Sequence, residues 1–410
     1  MSQRTNHFEE FKSHTELKHA ILNAYIVAWA MKLLMWRRAG STLAIVDGFA
    51  GAGQDEAGND GSPIIIARRA VEAMAAAEAA NPPVADPKIH LIAVEKVRRN
   101  YQKLVRVMEP FAKLNPKLIH LLPGELDEHI EEIVRATRGA PTFYFLDPYG
   151  VKGLDARTYS KALIGNHNEV FALFSDIGAT RLHGLVTADR ADPSDEIESI
   201  LSRPSLFPQF DAEDIADAEA AATRTNQALD LSIPASHAHL TRALGSDAWV
   251  AELEQIPPKD RPDKFLQLFR QALLAAGAKY VVAIPMRNDA GHRVYSLVHA
   301  SKSKTGFVEM KTAVGKGLKE SRLADSARER MLADLSVDLA EVISALQEVF
   351  PGRRFFWADQ KSGEVGLNTL VLQHSAMFPF QSKALKAELA RKGILKKIDR
   401  REVCEFPPIG

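Results

Sequence analysis

Cysteine is nearly absent: Cys404 is the single thiol in 410 residues. One thiol cannot close a disulfide within the chain and cannot build an all-cysteine zinc or iron–sulfur centre. Cys404 also lies far along the chain from the glycine-rich stretch described below, which leaves thiolate catalysis without support. Net charge is missing too, because 52 Lys and Arg offset 52 Asp and Glu; the field of the whole molecule predicts no partner, and only local asymmetry can. By inspection no apolar run is long enough to span a bilayer, and the polar, mixed-charge residues 1–13 read as neither a secretory signal nor a transit peptide. With 46% hydrophobic and 25% charged residues, the expectation is a soluble cytoplasmic protein of two or three domains, with no membrane association.

What is present centres on residues 44–53, Ala-Ile-Val-Asp-Gly-Phe-Ala-Gly-Ala-Gly. The apolar run 43–46 breaks into a glycine-punctuated turn, as a buried parallel strand does where it delivers its carboxyl end to a ligand. Gly51 and Gly53 let a small molecule lie against the main chain, and Asp47 stands at the strand tip. A dinucleotide site would call for G-x-G-x-x-G running straight into a helix. The order here is D-x-F-x-G-x-G, similar to the first motif of class I S-adenosylmethionine-dependent methyltransferases, whose cofactor has no phosphate to cradle.

Ahead of this stretch, helical spacing of apolar residues predicts a helix over 11–36, with Ser13 and Thr15 as cap candidates and Lys18-His19 early in it. After it, Ser62-Pro63 reads as a helix start, Ser62 capping, with the helix running through 64–80. Further buried strands are predicted over 89–94, 118–122, 142–146 and 169–174. Glu95, at the tip of the second strand, is what a ribose diol asks for; the alternative is a surface acid paired with Lys96 or Arg98. Glu125 is placed to meet an adenine edge, while Asp127 is expected to cap the following helix. Asp147-Pro148-Tyr149 ends the fourth strand: an acid, an outward carbonyl and an aromatic ring form a holder for a planar amine, although Asp-Pro and Tyr-Gly are also ordinary turn pairs.

Residues 186–276 read as a helical insertion containing a separate helix over 265–276. His237 and His239 lack a third ligand nearby, so no metal site is expected. Runs at 279–286 and 294–300 form a predicted hairpin turning at 289–291. Five strands alternating with helices and a closing hairpin give a Rossmann-like α/β sheet of the class I methyltransferase type, with an antiparallel final strand, over 1–330. Residues 337–410 read as a small winged-helix-like domain whose Lys383, Lys386, Arg391, Lys392, Lys396, Lys397, Arg400 and Arg401 suit phosphates, or equally an acidic protein surface.

With these residues in place, the sequence resembles the three-Cys-motif partner protein family (TcmP). The matching stretches are the Lys18-His19 helix with Tyr25 and Trp29, the 47–53 turn, Gly61-Ser62-Pro63, Glu95, Asp147-Pro148-Tyr149-Gly150, and Tyr295 to Ser301 followed by Gly306 to Lys311. The resemblance implies a class I methyltransferase-like protein that works with a partner carrying three cysteines. A similar lysine-histidine helix, glycine turn and Gly-Ser-Pro helix occur in a ribosomal RNA methyltransferase that modifies an adenine amine through Asp-Pro-Pro-Tyr; here one proline is missing. The implied sites are Asp147, Pro148 and Tyr149 for catalysis, and Lys18, Asp47, Phe49, Gly51, Gly53, Glu95 and Glu125 around S-adenosylmethionine. DNA or RNA is the expected acceptor. The alternative is a non-catalytic adaptor that retains the fold.

Overall fold

The structure, a computed structural model, describes residues 4–37, 41–114, 117–148, 150–187 and 235–408. The order of elements is α1 (Arg4–Arg37), β1 (Thr42–Asp47), α2 (Ser62–Glu78), β2 (Lys88–Glu95), α3 (Arg98–Leu114), β3 (Ile119–Pro123), α4 (Leu126–Ala136), β4 (Thr142–Leu146), α5 (Ala156–Ala162), β5 (Glu169–Phe174) and α6 (Asp176–Thr187). It continues with α7 (Ala235–Leu244), α8 (Trp249–Leu253), α9 (Arg261–Ala275), β6 (Tyr280–Arg287), β7 (Arg293–Ser301), α10 (Lys304–Glu320) and α11 (Asp325–Leu335). Last come α12 (Leu339–Val349), β8 (Arg354–Phe356), α13 (Leu367–His374), α14 (Ser382–Arg391), β9 (Leu395–Ile398) and β10 (Arg401–Glu405).

The chain is a mixed α/β protein built on a seven-stranded, mostly parallel sheet of order β3-β2-β1-β4-β5-β7-β6, a Rossmann-like arrangement. β1 to β5 run parallel, whereas β7 lies antiparallel to both β5 and β6. Parallel strands buried on both faces need apolar side chains on both, which is why β1, β4 and β5 read as unbroken hydrophobic runs. One face packs Leu43, Ile45, Leu91, Phe143 and Phe145 against α1, α2, α3 and α10. The other packs Val46, Val94, Tyr144 and Phe174 against α4, α5, α7 and α9. A third core, around Ile343, Trp357, Leu385 and the buried Cys404, fills a carboxyl-terminal unit with a three-stranded antiparallel sheet, β8-β10-β9.

α1 crosses the first face with Leu17, Ile21, Tyr25, Ile26, Trp29 and Leu34 buried. It begins at Arg4, so Ser13 and Thr15 lie within the helix and do not cap it. Its Thr15–Arg37 portion is long and apolar enough to cross a membrane by length and composition, unlike what inspection of the sequence suggested; 39% of that span is buried inside the protein. The same apolarity is what packing against a sheet requires. Beneath α1, Tyr25 donates to Glu169, which also bonds His299 at 2.9 Å and Ser301 at 3.1 Å. A Cβ at Gly306 would stand 2.0 Å from a Glu169 oxygen, so that position admits only glycine.

Lys311 of α10 joins the sheet to the carboxyl-terminal unit. Its fully buried ammonium donates to the carbonyls of Leu372, Ser375 and Met377, at 2.6, 3.1 and 2.9 Å, and lies 4.2 Å from the Phe307 ring centroid. It thereby satisfies carbonyls left free at the end of α13. Burial lowers its pKa to about 7.

Candidate functional site

In a strand, alternate residues face the same side. Leu43 and Ile45 of β1, Leu91 and Ala93 of β2, and Phe143 and Phe145 of β4 all face α1. The next residue of each stripe is an acid: Asp47, Glu95 and Asp147. Parallel pairing puts the three at one edge of the sheet, Asp47 level with Ala93 and with Phe145. Three carboxylates therefore gather at the carboxyl ends of adjacent strands, under α1.

The turn after β1 is held from both sides. Gly48 N donates to Phe145 O at 2.9 Å, Ala50 N to Val94 O at 2.9 Å, and Gly61 N to Gly53 O at 2.8 Å. Gly51 and Gly53 adopt φ of +62° and +81°, where an L side chain is strained. Their surroundings differ. A Cβ on Gly53 would meet Val107 at 2.5 Å, while one on Gly51 would meet nothing within 4 Å. The space beside Gly51 is open to a ligand.

Glu95 does not pair with Lys96 or Arg98 as a surface acid would. Its oxygens accept from Gly51 N at 2.8 Å and Val97 N at 2.7 Å, and burial raises its pKa despite those bonds. Asn100 is a further side-chain partner, which leaves about one of the four acceptor sites of the carboxylate for a ligand hydroxyl. Lys96 instead stands 3.5 Å from Glu125, a half-exposed residue at the start of α4 whose amide donates to Glu128 at 3.0 Å. Glu125 is thus the cap residue of α4. Asp127, the expected cap, accepts from the Thr158 hydroxyl of α5.

Asp47 is fully buried. One oxygen accepts weakly from Phe49 N at 3.3 Å, and the other, Oδ2, has no hydrogen-bond partner. Burial pushes its pKa up to about 7 against the opposing pull of Ser62 and the Phe49 amide. Ser62 is consequently a partner of the strand tip; Gly61, with extended backbone, occupies the cap position of α2 in its place. Lys18 of α1 is ion-paired with Asp147. His19 is held down to about 4 by burial first and then by Lys18.

Pro148 follows Asp147, and the Phe49 ring packs over this corner: a Cβ on Gly153, at φ +96°, would meet Phe49 at 2.9 Å and Pro148 at 3.2 Å. The structure thus brings together Lys18, Asp47, Phe49, Gly51, Gly53, Glu95, Asp147 and Pro148 at one edge, with Glu125 at its rim. Tyr149 lies outside the described residues, as does 188–234 of the expected insertion; 235–276 of it is helical. Sequence reasoning gave no site role to Tyr295 or to the Asp176–Arg293 pair. Because β7 is antiparallel, with Ser296 level with Phe174, its start lies at the same edge. There Asp176 accepts from Ser296 at 2.6 Å and pairs with Arg293, and the Tyr295 pKa is raised by burial first and then by Asp147. Their signal was the polar alternation of Arg293, Tyr295 and Ser296 at a hairpin end.

No protein-family profile matches the chain, and no curated protein does. Among solved structures, it is similar to one described as a conserved hypothetical protein of Streptococcus pyogenes, with 17% identity over 34% of this chain and 70% of that chain. The TM-score is 0.22, and the likeness carries no argument.

Proposed function

We propose that the chain is an S-adenosylmethionine-dependent methyltransferase acting on an amine of a nucleic-acid base. The observation that carries this reading is Asp47, a fully buried carboxylate with one unpartnered oxygen, at the foot of a glycine turn that leaves open space beside Gly51. A buried acceptor without a partner is costly, and a cationic ligand offsets that cost. S-adenosylmethionine offers an ammonium and a sulfonium together. Asp47, Phe49, Gly51 and Gly53 would hold its methionine end, Glu95 the ribose, and Glu125 the adenine, with Lys18 lining the cleft. The antiparallel β7 between β5 and β6 supports a class I methyltransferase sheet over a dinucleotide fold, which would favour another crossover helix there.

When bound, the cofactor supplies a methyl group already activated by its sulfonium, so the chain's task is binding and orientation. Asp147 and the Pro148 carbonyl would accept the two amine hydrogens, and Tyr149 would stack on the base. The carboxyl-terminal unit, read as winged-helix-like, would add phosphate contacts. Its charge is partly spent, since Lys386, Arg391 and Lys396 are paired with Glu402, Glu388 and Glu405. A three-Cys-motif protein is the proposed partner, in the cytoplasm.

A second reading is favoured by the Lys18–Asp147 pair, which already occupies the carboxylate that would meet the acceptor: an adaptor that keeps the fold and binds nucleic acid or its partner without turnover. Incubation with labelled cofactor and either RNA or DNA separates the two. Methyl incorporation that Asp147→Ala abolishes supports the enzyme; cofactor binding without incorporation into any acceptor supports the adaptor.

A further inference from the structure

At the edge of the sheet opposite the candidate site, five stretches of chain meet. They are the end of α1 (36–37), the turn 138–141 before β4, the loop 161–168 before β5, residues 277–279 before β6, and residues 301–304 at the end of β7. Hydrogen bonds tie them together. Arg37 donates to Gly139 O at 3.0 Å, the Thr142 amide to Asn168 at 3.1 Å, Lys302 to Ile164 O at 3.2 Å, and the Lys279 amide to Ser301 O at 3.0 Å. The Trp36 ring lies 5.1 Å from that of His167, centroid to centroid. Along α1, Trp36 stands about 27 Å from Lys18.

Cations and one aromatic ring dominate this edge. The five stretches carry Arg37, Arg138, Lys161, Lys279, Lys302 and Lys304, and not one Asp or Glu. Glu131 takes Lys161 at 2.7 Å and Lys304 reaches His374 at 3.0 Å, but Arg37, Arg138, Lys279 and Lys302 have no carboxylate partner among the described residues. Like charges gathered without acids repel, and a polyanion relieves the repulsion. Trp36 is 65% exposed, whereas Trp29, Trp249 and Trp357 are buried. Besides Trp36, the only large exposed apolar side chain described in these stretches is Ile164. Two such side chains are too few for the core of a protein–protein interface or for insertion into a bilayer. An open indole beside cations is instead a face on which a base stacks.

We propose that this edge binds single-stranded nucleic acid, with one base stacked on Trp36 and the flanking phosphates on Arg37, Arg138, Lys279 and Lys302. The contact is separate from the candidate site and from the basic carboxyl-terminal unit. It goes beyond the functional reading above and needs neither the cofactor nor methyl transfer.

The test titrates the full-length protein with single-stranded dodecamers of uridine and of thymidine, reading the anisotropy of a fluorescein-labelled strand and the tryptophan emission with an unlabelled one. Saturable binding that quenches the emission of the exposed indole is expected. Trp36→Ala should weaken binding about 5- to 150-fold, the worth of one stacked base. Arg138→Gln combined with Lys279→Gln removes two side chains that make no bond to the described fold, so the unfolding temperature should hold. The dependence of log affinity on log salt should flatten by about 1.4 in that double variant, the share of two phosphates on a single strand. Binding of S-adenosylmethionine, measured by calorimetry in the same variants, should be unchanged, so this contact and the cofactor site are read apart. A strand that binds without quenching, with affinity and salt slope unmoved by the substitutions, overturns the proposal and places the nucleic acid on another surface. Failure to bind either dodecamer also overturns it, and association with phosphatidylglycerol vesicles in that case would make the edge a membrane contact.

Discussion

Lys18 and Asp147, 129 positions apart in sequence, are joined as an ion pair that bridges α1 to the tip of β4. The pair lies next to Asp47, which Asp147 pushes toward protonation and Lys18 pulls toward ionisation. Losing Lys18 therefore acts on both acids. Lys18→Met should raise the Asp47 pKa further and lower methyl transfer by about 100-fold, since a misplaced acceptor group costs that much. Carboxyl NMR and single-turnover assays measure the two effects; an unmoved Asp47 would show that the pair does not couple to the strand tip.

Asp47 gives the protein a distinctive pH response. Its folded pKa of about 7 lies above the ordinary 3.8, so between those values the native state holds a proton that the unfolded chain has released. Stability should fall as pH rises through this window, by a few kcal/mol in all. Asp47→Asn should remove that slope and be more stable near neutrality. A cationic ligand binds the ionised form, so affinity for S-adenosylmethionine should rise with pH toward a plateau above about 7. Denaturation and calorimetry between pH 5 and pH 8 are the checks, and a pH-independent affinity would place the cation away from Asp47.

The two turn glycines should separate binding from folding. Gly51→Ala places a methyl in open space at φ +62°, costing about 1 kcal/mol of stability while obstructing the ligand. Gly53→Ala drives its methyl to 2.5 Å from Val107 at φ +81° and should cost about 2–4 kcal/mol. Thermal unfolding with and without cofactor distinguishes them; equal losses of stability would mean that the turn does not have this shape.

Lys311→Met would strip the donor from three carbonyls, two of them buried, and should cost about 3 kcal/mol. The loss should be local, seen as faster hydrogen exchange over 371–378 and in α12 to α14 with the sheet little affected. Uniform acceleration across the chain would contradict a joint confined to that interface.

Much of this was legible in the sequence, because the strands obey one simple rule. β4 and β5 fall at 142–146 and 169–174 as predicted, and the others differ at their ends, since unbroken apolar runs between turns admit few other readings. α3, α5, the helices α10 and α11, and the three-residue β8 went unread. The three acids at the site could be found because each terminates a strand. Lys18 was suggested only by resemblance, as its helix is distant in sequence and nothing in spacing says which strand α1 crosses. Glu169 was invisible as a functional or structural centre: it opens a strand, and its partners Tyr25, His299 and Ser301 come together only through the antiparallel return of β7. Ser62 and Asp127 were misread as caps because cap propensity is a local rule, and here each side chain is turned to a tertiary partner.

The central claim is that this edge of the sheet binds S-adenosylmethionine. Calorimetric titration of the purified full-length protein with S-adenosylmethionine and S-adenosylhomocysteine, beside Asp47→Ala and Glu95→Ala, tests it most directly. Saturable binding that both folded variants lose is the predicted result. A folded protein that binds neither ligand would contradict the account, and so would one whose variants bind as well as it does.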